Sequence, residues 1–243
     1  MTFRDFAASA LFLDMDGTLI DIAPTPDGVV IPDGLANLIG AVTARLDGAL
    51  AILTGRPIAD VDRWLAPLQP VAAGIHGAEI RTRPGGAVTR TAAPIDAAMV
   101  AAVRRVADSA PGALVELKPA SIAIHYRQNP AAEPRIEEAL KTVLKEGPDH
   151  LILCRGRKVL EIVPRHVSKG VALEAMMQLP EFRGRRPIMV GDDRSDMSAF
   201  EAAVRMGGRG FKVAGEQFDA GEAAFTGPAA VRAWLAAQTG NLP

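Results

Sequence analysis

Residues 10–13 (ALFL) are wholly apolar and run without transition into DMDG at 14–17. Four apolar residues with no polar alternation read as a strand buried on both faces, as in a parallel sheet covered by helices. Asp14 and Asp16 must then stand at an exposed strand end or face a cation, because carboxylates are almost never fully buried unless paired. The same rhythm recurs downstream. A helix is expected over 32–46, with Asp33 as cap or first-turn acid. A strand over 49–53 follows, then a helix from Pro57, a residue suited to a first helical turn. Strand, connection, helix and strand in this order mark βα units. Pro84-Gly85-Gly86 is placed to close a hairpin between 78–82 and 87–90.

From about residue 95 the rhythm changes. A helix over 95–109 precedes strands at 113–117 and 121–127, and a helix over 133–146 precedes strands at 150–154 and 159–163. This α-β-β-α-β-β order suits a small antiparallel sheet with helices on one face. The alternation then returns, with helices at 168–178 and 195–203, strands at 187–190 and 210–213, and a last helix from Pro228. The expected architecture is an α/β core, residues 1–93 and 165–243, interrupted by an α+β insert over 94–164. Trp234 in the last helix is expected to pack in the core.

With 27 Lys plus Arg against 28 Asp plus Glu, the net charge is −1, which supplies no electrostatic reason to expect nucleic acid or an anionic membrane as partner. The single cysteine, Cys154, excludes an intrachain disulfide. The apolar stretch 7–13 is too short to span a bilayer and meets acids at once. Cytoplasm is the expected compartment, and a monomer the expected state.

Four short stretches carry chemistry: DMDGT at 14–18, LTGRP at 53–57, SKG at 168–170 and GDDRSD at 191–196. Three follow core strands, where parallel sheets bind ligands, and SKG opens a helix, where free backbone N–H groups favour anions. Together they offer carboxylates, a hydroxyl, a lysine and tight turns, a set suited to a phosphate with a divalent cation. Calcium loops counted from Asp14 or Asp192 fail at their sixth and twelfth positions, and no P-loop occurs. Taken singly, each stretch is also consistent with a solvated turn, an ordinary helix start or a capping acid.

In this order the four stretches resemble the motifs of haloacid-dehalogenase-type phosphatases. GIHGAEI at 74–80, VELKPASIAIHYR at 115–127, GRKVLEIVPRHVSKG at 156–170 and GDDRSDMSAF at 191–200 resemble, within that superfamily, the trehalose-6-phosphate phosphatases. The resemblance implies a doubly wound parallel-sheet core with an inserted substrate-specificity cap, a sugar phosphate as substrate and Mg²⁺ as cofactor. It implies Asp14 as nucleophile, Asp16 as general acid and base, and Mg²⁺ held by Asp14, the Asp16 backbone carbonyl and Asp192, with Asp193 close by. Lys169, Thr54 and backbone N–H groups at Met15, Gly17 and Gly55 are implied to hold the phosphoryl oxygens, with Arg56 also in the substrate site. His76 and Glu79 are placed near the entrance, with structural roles equally open. Glu116, Lys118, Arg127 and Glu161 are the implied sugar-binding residues of the cap; His125 is read as packed or hydrogen-bonded. Three positions depart from the family pattern: Ser195 and Met197 replace a threonine and a glutamate, and Arg157 replaces a lysine. The competing readings are a capped phosphatase of sucrose phosphate or mannosyl-3-phosphoglycerate, a phosphomutase, and a non-catalytic sugar-phosphate sensor.

Overall fold

A computed structural model of the chain describes residues 6–23, 25, 28–156 and 158–240. These form two compact units. One comprises the chain up to Thr89 and from Ser168 onward; the other is Arg90–Val167.

The first unit is built on strands β1 (Ser9–Leu13), β2 (Leu50–Leu53), β3 (Val71–Gly74), β4 (Glu79–Arg81), β5 (Thr89–Arg90), β10 (Arg186–Gly191) and β11 (Arg209–Lys212). Their spatial order is β11-β10-β1-β2-β3-β4-β5. All pairings from β11 to β3 are parallel, and β4 runs antiparallel to β3. Every residue of β1, β2 and β3 is buried, as two-sided coverage of a parallel sheet requires. The helices are α1 (Leu35–Arg45), α2 (Ile58–Trp64), α5 (Lys169–Met176), α6 (Met197–Arg205) and α7 (Pro228–Gln238). Trp234 of α7 packs in the core, edge-on to Phe6 and tilted against Phe225.

The chain winds from β1 through β2 to β3 on one side, and later through β10 to β11 on the other. The order therefore reverses between β1 and β10. The carboxyl ends of strands at such a reversal splay apart and leave a crevice for ligands. Leu13 pairs with Val190, so the residues following these two strands emerge side by side.

The second unit contains α3 (Ala97–Asp108), β6 (Leu114–Lys118), β7 (Ser121–His125), α4 (Glu133–Lys145), β8 (Leu151–Gly156) and β9 (Val159–Pro164). Its antiparallel sheet has the order β6-β7-β9-β8. Ile122, Ile124, Leu160 and Ile162 of the sheet share a buried cluster with Val103, Val106, Ile136 and Leu140 of the two helices. Alternation sends the intervening residues to the opposite face.

Several local readings differ from the structure. The strand β3 (VAAG) is absent from the sequence pattern, because alanine and glycine have little strand preference; parallel pairing with β2 forms it instead. Asp33 does not cap α1, whose N-cap is Gly34 in the left-handed region. Pro57 stands at the N-cap of α2, just before the first turn. The strand read over 121–127 stops at His125, and Arg127 lies in the turn beyond it. Arg157 lies outside the described residues.

Candidate active site

Asp14 follows β1, and its N–H donates to the Val190 carbonyl at 3.0 Å, which extends the β1–β10 pairing by one step. Asp192 follows β10. One carboxylate oxygen each of Asp14, Asp192 and Asp196 lies within 4.8 Å of the others. Gly17 makes this convergence possible. Its φ of +80° belongs to the left-handed region, and a Cβ there would stand 2.1 Å from an Asp192 carboxylate oxygen. The Gly17 N–H itself donates to the Ile20 carbonyl at 2.7 Å. Gly17 thus shapes the site sterically, by letting the Asp192 carboxylate approach the turn after β1. Met15 is fully buried, and its carbonyl accepts the N–H groups of Thr18, Leu19 and Ile20, closing the turn after β1.

Lys169 is the first residue of α5, which Ser168 caps by accepting the Val171 N–H. Its ammonium donates to Asp14 at 2.7 Å and to Asp196 at 2.6 Å. Asp14, Asp192, Asp196 and Lys169 are each no more than 5% exposed. With all three ionised, the carboxylates exceed the one ammonium of this group by two negative charges. Burial drives the Asp14 carboxyl well above the usual carboxylate range, and Asp196 and Asp192 add to it against the pull of Lys169. Burial also opposes the Lys169 charge, but Asp14 and Asp196 outweigh it and hold the ammonium protonated. Like charges gathered in a buried site repel more strongly than they would in water. A divalent cation would match the excess, and the donors are the hard oxygens such ions take. The residues present therefore fit a metal site.

Asp193 is oriented differently. Its carboxylate accepts the Arg194 N–H, and its own N–H donates to Asp196, forming a capping box ahead of α6. It does not join the three converging carboxylates. Asp16 sends its carboxylate to Arg56, which donates through both arms at 3.0 and 2.7 Å. The Arg56 guanidinium also lies 5.0 Å from the centroid of the Trp64 ring, a cation–π distance. Thr54 is buried after β2, and its hydroxyl accepts the Arg56 N–H.

The segment Ile75–Gly77 is a strained turn. Ile75 and His76 have φ of +49° and +57°, a conformation costly for any side chain and more so for a β-branched one. The strain is held by two hydrogen bonds, from the Ile75 N–H to Arg56 and from the His76 N–H to Thr54. It sets the His76 ring where a Cβ on Gly55 would stand 2.8 Å from Cε1. Glu79 is buried and accepts the Ile58 N–H at 2.9 Å, so it satisfies the open N-terminus of α2.

In the second unit, Glu116, Lys118, Ser121, His125 and Glu161 occupy the sheet face opposite the helices. Glu116 meets His125 at 2.7 Å, and Glu161 accepts from Lys118 at 3.0 Å and from Ser121. Burial pushes the Glu116 carboxyl upward, but the His125 hydrogen bond and the charges of Lys118 and His125 overcome this and lower it. Arg127 is not part of this strand face.

Two residues of the first unit escaped the sequence-based site: Asp196, which holds Lys169, and Thr18, whose hydroxyl lies 3.4 Å from Asp192. The three-residue spacing of Asp193 and Asp196 signals a capping box, but only the fold turns the second oxygen of Asp196 onto a lysine 27 residues away. The two units hold their own polar clusters, and the one in the first unit combines three converging carboxylates with a buried ammonium.

A family profile described as trehalose-phosphatase matches residues 12–227. A probable trehalose-phosphate phosphatase of Sinorhizobium fredii is 40% identical over 210 residues, which cover 84% of this chain and 77% of that protein. Trehalose-6-phosphate phosphatase of Escherichia coli is 36% identical over 208 residues, covering 85% of this chain and 78% of the relative. The structure of the C-terminal domain of Candida albicans trehalose-6-phosphate phosphatase superposes with a TM-score of 0.83 at 20% identity, covering 98% and 95% of the two chains. That last likeness concerns the fold.

Proposed function

Because this chain belongs to the trehalose-phosphatase family, we infer that it hydrolyses trehalose 6-phosphate to trehalose and inorganic phosphate. The observation that carries the reading is the buried Lys169 bridging Asp14 and Asp196 beside Asp192, at the reversal point of a parallel sheet. A sensor has no use for a carboxylate poised against a fixed ammonium in this way.

The chemistry assigned to the residues runs in two displacements. An Asp14 carboxylate oxygen attacks phosphorus as the bond to the sugar oxygen breaks, and the Asp16 carboxyl gives its proton to that oxygen. Water then attacks the aspartyl-phosphate, Asp16 takes the proton, and the Asp14–phosphorus bond breaks. At ~4 Å and an effective dielectric of ~20, a carboxylate and a phosphate dianion repel by roughly 8 kcal/mol. Lys169 offsets part of this and stays charged throughout. Mg²⁺, suited to the Asp14 and Asp192 carboxylates and the Asp16 carbonyl, would when bound supply further positive charge to the phosphoryl oxygens. Arg56 fixes the Asp16 carboxyl between steps, and Thr54 fixes the backbone that carries Arg56.

The second unit is assigned the role of a specificity cap over residues 94–164. Its mixed acids and bases, Glu116, Lys118 and Glu161, suit a ligand rich in hydroxyls, which both donate and accept. The test is phosphate release from trehalose 6-phosphate, sucrose 6-phosphate, mannosyl-3-phosphoglycerate and an aryl phosphate, with Mg²⁺ and with a chelator. Trehalose 6-phosphate should be the preferred substrate, and the chelator should stop turnover. Preference for another sugar phosphate, or undiminished turnover with the chelator, would overturn the corresponding part.

A further inference from the structure

We propose that His125 is a positioning residue for the Glu116 carboxylate and through it a determinant of sugar specificity. The inference rests on the reading of Glu116 as a sugar-recognising group.

The register explains why these two side chains meet. Leu114 pairs with His125 and Glu116 with Ala123 across β6 and β7. Glu116 and His125 are therefore diagonal neighbours on one sheet face, a separation that long or aromatic side chains can bridge. Ala123, directly opposite Glu116, is too small to fill the space between them. The imidazole Nε2 lies 2.7 Å from Glu116 Oε2. Both side chains keep about a quarter of their surface exposed, at 24% and 27%. Among the described residues, no hydrogen bond to Glu116 Oε1 is formed.

The arrangement holds one carboxylate oxygen and presents the other. A free glutamate has three side-chain torsions to settle when it binds a hydroxyl, and pinning it beforehand removes much of that entropy cost. Glu161 on β9 is held by a comparable device, with Lys118 and Ser121 donating to the same oxygen. Among the described residues, the titratable groups of this face are Glu116 and Lys118 on β6, His125 on β7, Cys154 on β8 and Glu161 on β9. His125 is the only one of them whose contact is to Glu116 alone among the described hydrogen bonds.

The experiment is a double-mutant cycle of His125→Ala and Glu116→Gln, read as KM and kcat on trehalose 6-phosphate and on an aryl phosphate lacking the sugar. His125→Ala should raise KM for trehalose 6-phosphate about fivefold to tenfold, the worth of one hydrogen bond. The loss in kcat/KM should be at least threefold smaller on the aryl phosphate. In the Glu116→Gln background, His125→Ala should add less than a twofold effect, because the carboxylate it positions is gone. His125→Gln, which keeps a donor, should recover part of the loss and serves as the readout if the alanine variant fails to fold. Additive effects of the two substitutions, or equal losses on both substrates, would overturn the proposal. If Glu116→Gln impairs trehalose 6-phosphate but His125→Ala does not, this inference fails while the sugar-recognition reading stands. If neither changes discrimination, that reading fails first.

Discussion

Asp14 carries two burdens at once, as the proposed nucleophile and as one of three buried carboxylates. Replacing it with asparagine removes one of the two excess negative charges and leaves Lys169 its contact with Asp196. Asp14→Asn should therefore lower kcat by on the order of 10³ or more, while the melting temperature without metal stays level or rises. Full turnover in that variant would remove Asp14 from the assigned role. Gly17 makes the opposite case. An alanine there would meet Asp192 at 2.1 Å in a left-handed conformation, so Gly17→Ala should cost about 1–3 kcal/mol of stability. It should also weaken metal dependence, measured by Mg²⁺ titration of activity. An unchanged titration would show that Asp192 can give way.

Elements of both units are supported by buried polar groups, among them Glu79, whose structural role the sequence left open. The helix α2 has no side-chain cap of its own, and Glu79, from the antiparallel strand β4, reaches across to its first N–H. Glu79→Ala leaves that donor without a partner and should cost roughly 1–2 kcal/mol, read as a lower denaturation midpoint. Glu79→Gln, whose amide oxygen still accepts, should retain most of it. Equal loss in both would point to charge rather than capping. In the second unit, Glu137 of α4 is engaged by Arg155 and Lys141, and its carboxyl is lowered first by the Arg155 hydrogen bond and then by that of Lys141. A depressed carboxyl contributes stability above its unfolded value and loses it as pH falls through the folded one. Thermal melts between pH 6 and 3 should fall less steeply for Glu137→Gln than for the parent chain, because one of the groups that titrates is gone. Parallel curves would count against it.

At the scale of the whole molecule, the excess of negative charge in the first unit links metal binding to folding. A cation that binds only the folded chain at one hundred times its Kd adds about 2.7 kcal/mol, a rise of about 5–10 °C for a chain of this size. Differential scanning calorimetry with and without Mg²⁺ should show this rise in the parent chain and its loss in Asp192→Asn. Among the described residues, no helix is long and apolar enough to cross a membrane. The α/β character of the chain was legible in its apolar runs, since burying a strand on both faces demands uninterrupted hydrophobic residues. The four motifs were legible too, because each stands at a strand end or helix start marked by glycine, proline or serine. What the linear pattern could not carry was contact between segments far apart. That Asp196 holds Lys169, that Glu79 accepts from the first N–H of α2, and that His125 grips Glu116 follow from register and strand order. β3, made of residues with little strand preference, exists because β2 lies beside it. Local chemistry is written along the chain by spacing, whereas the partner of each charge is chosen by packing, which acts only once distant strands are brought together.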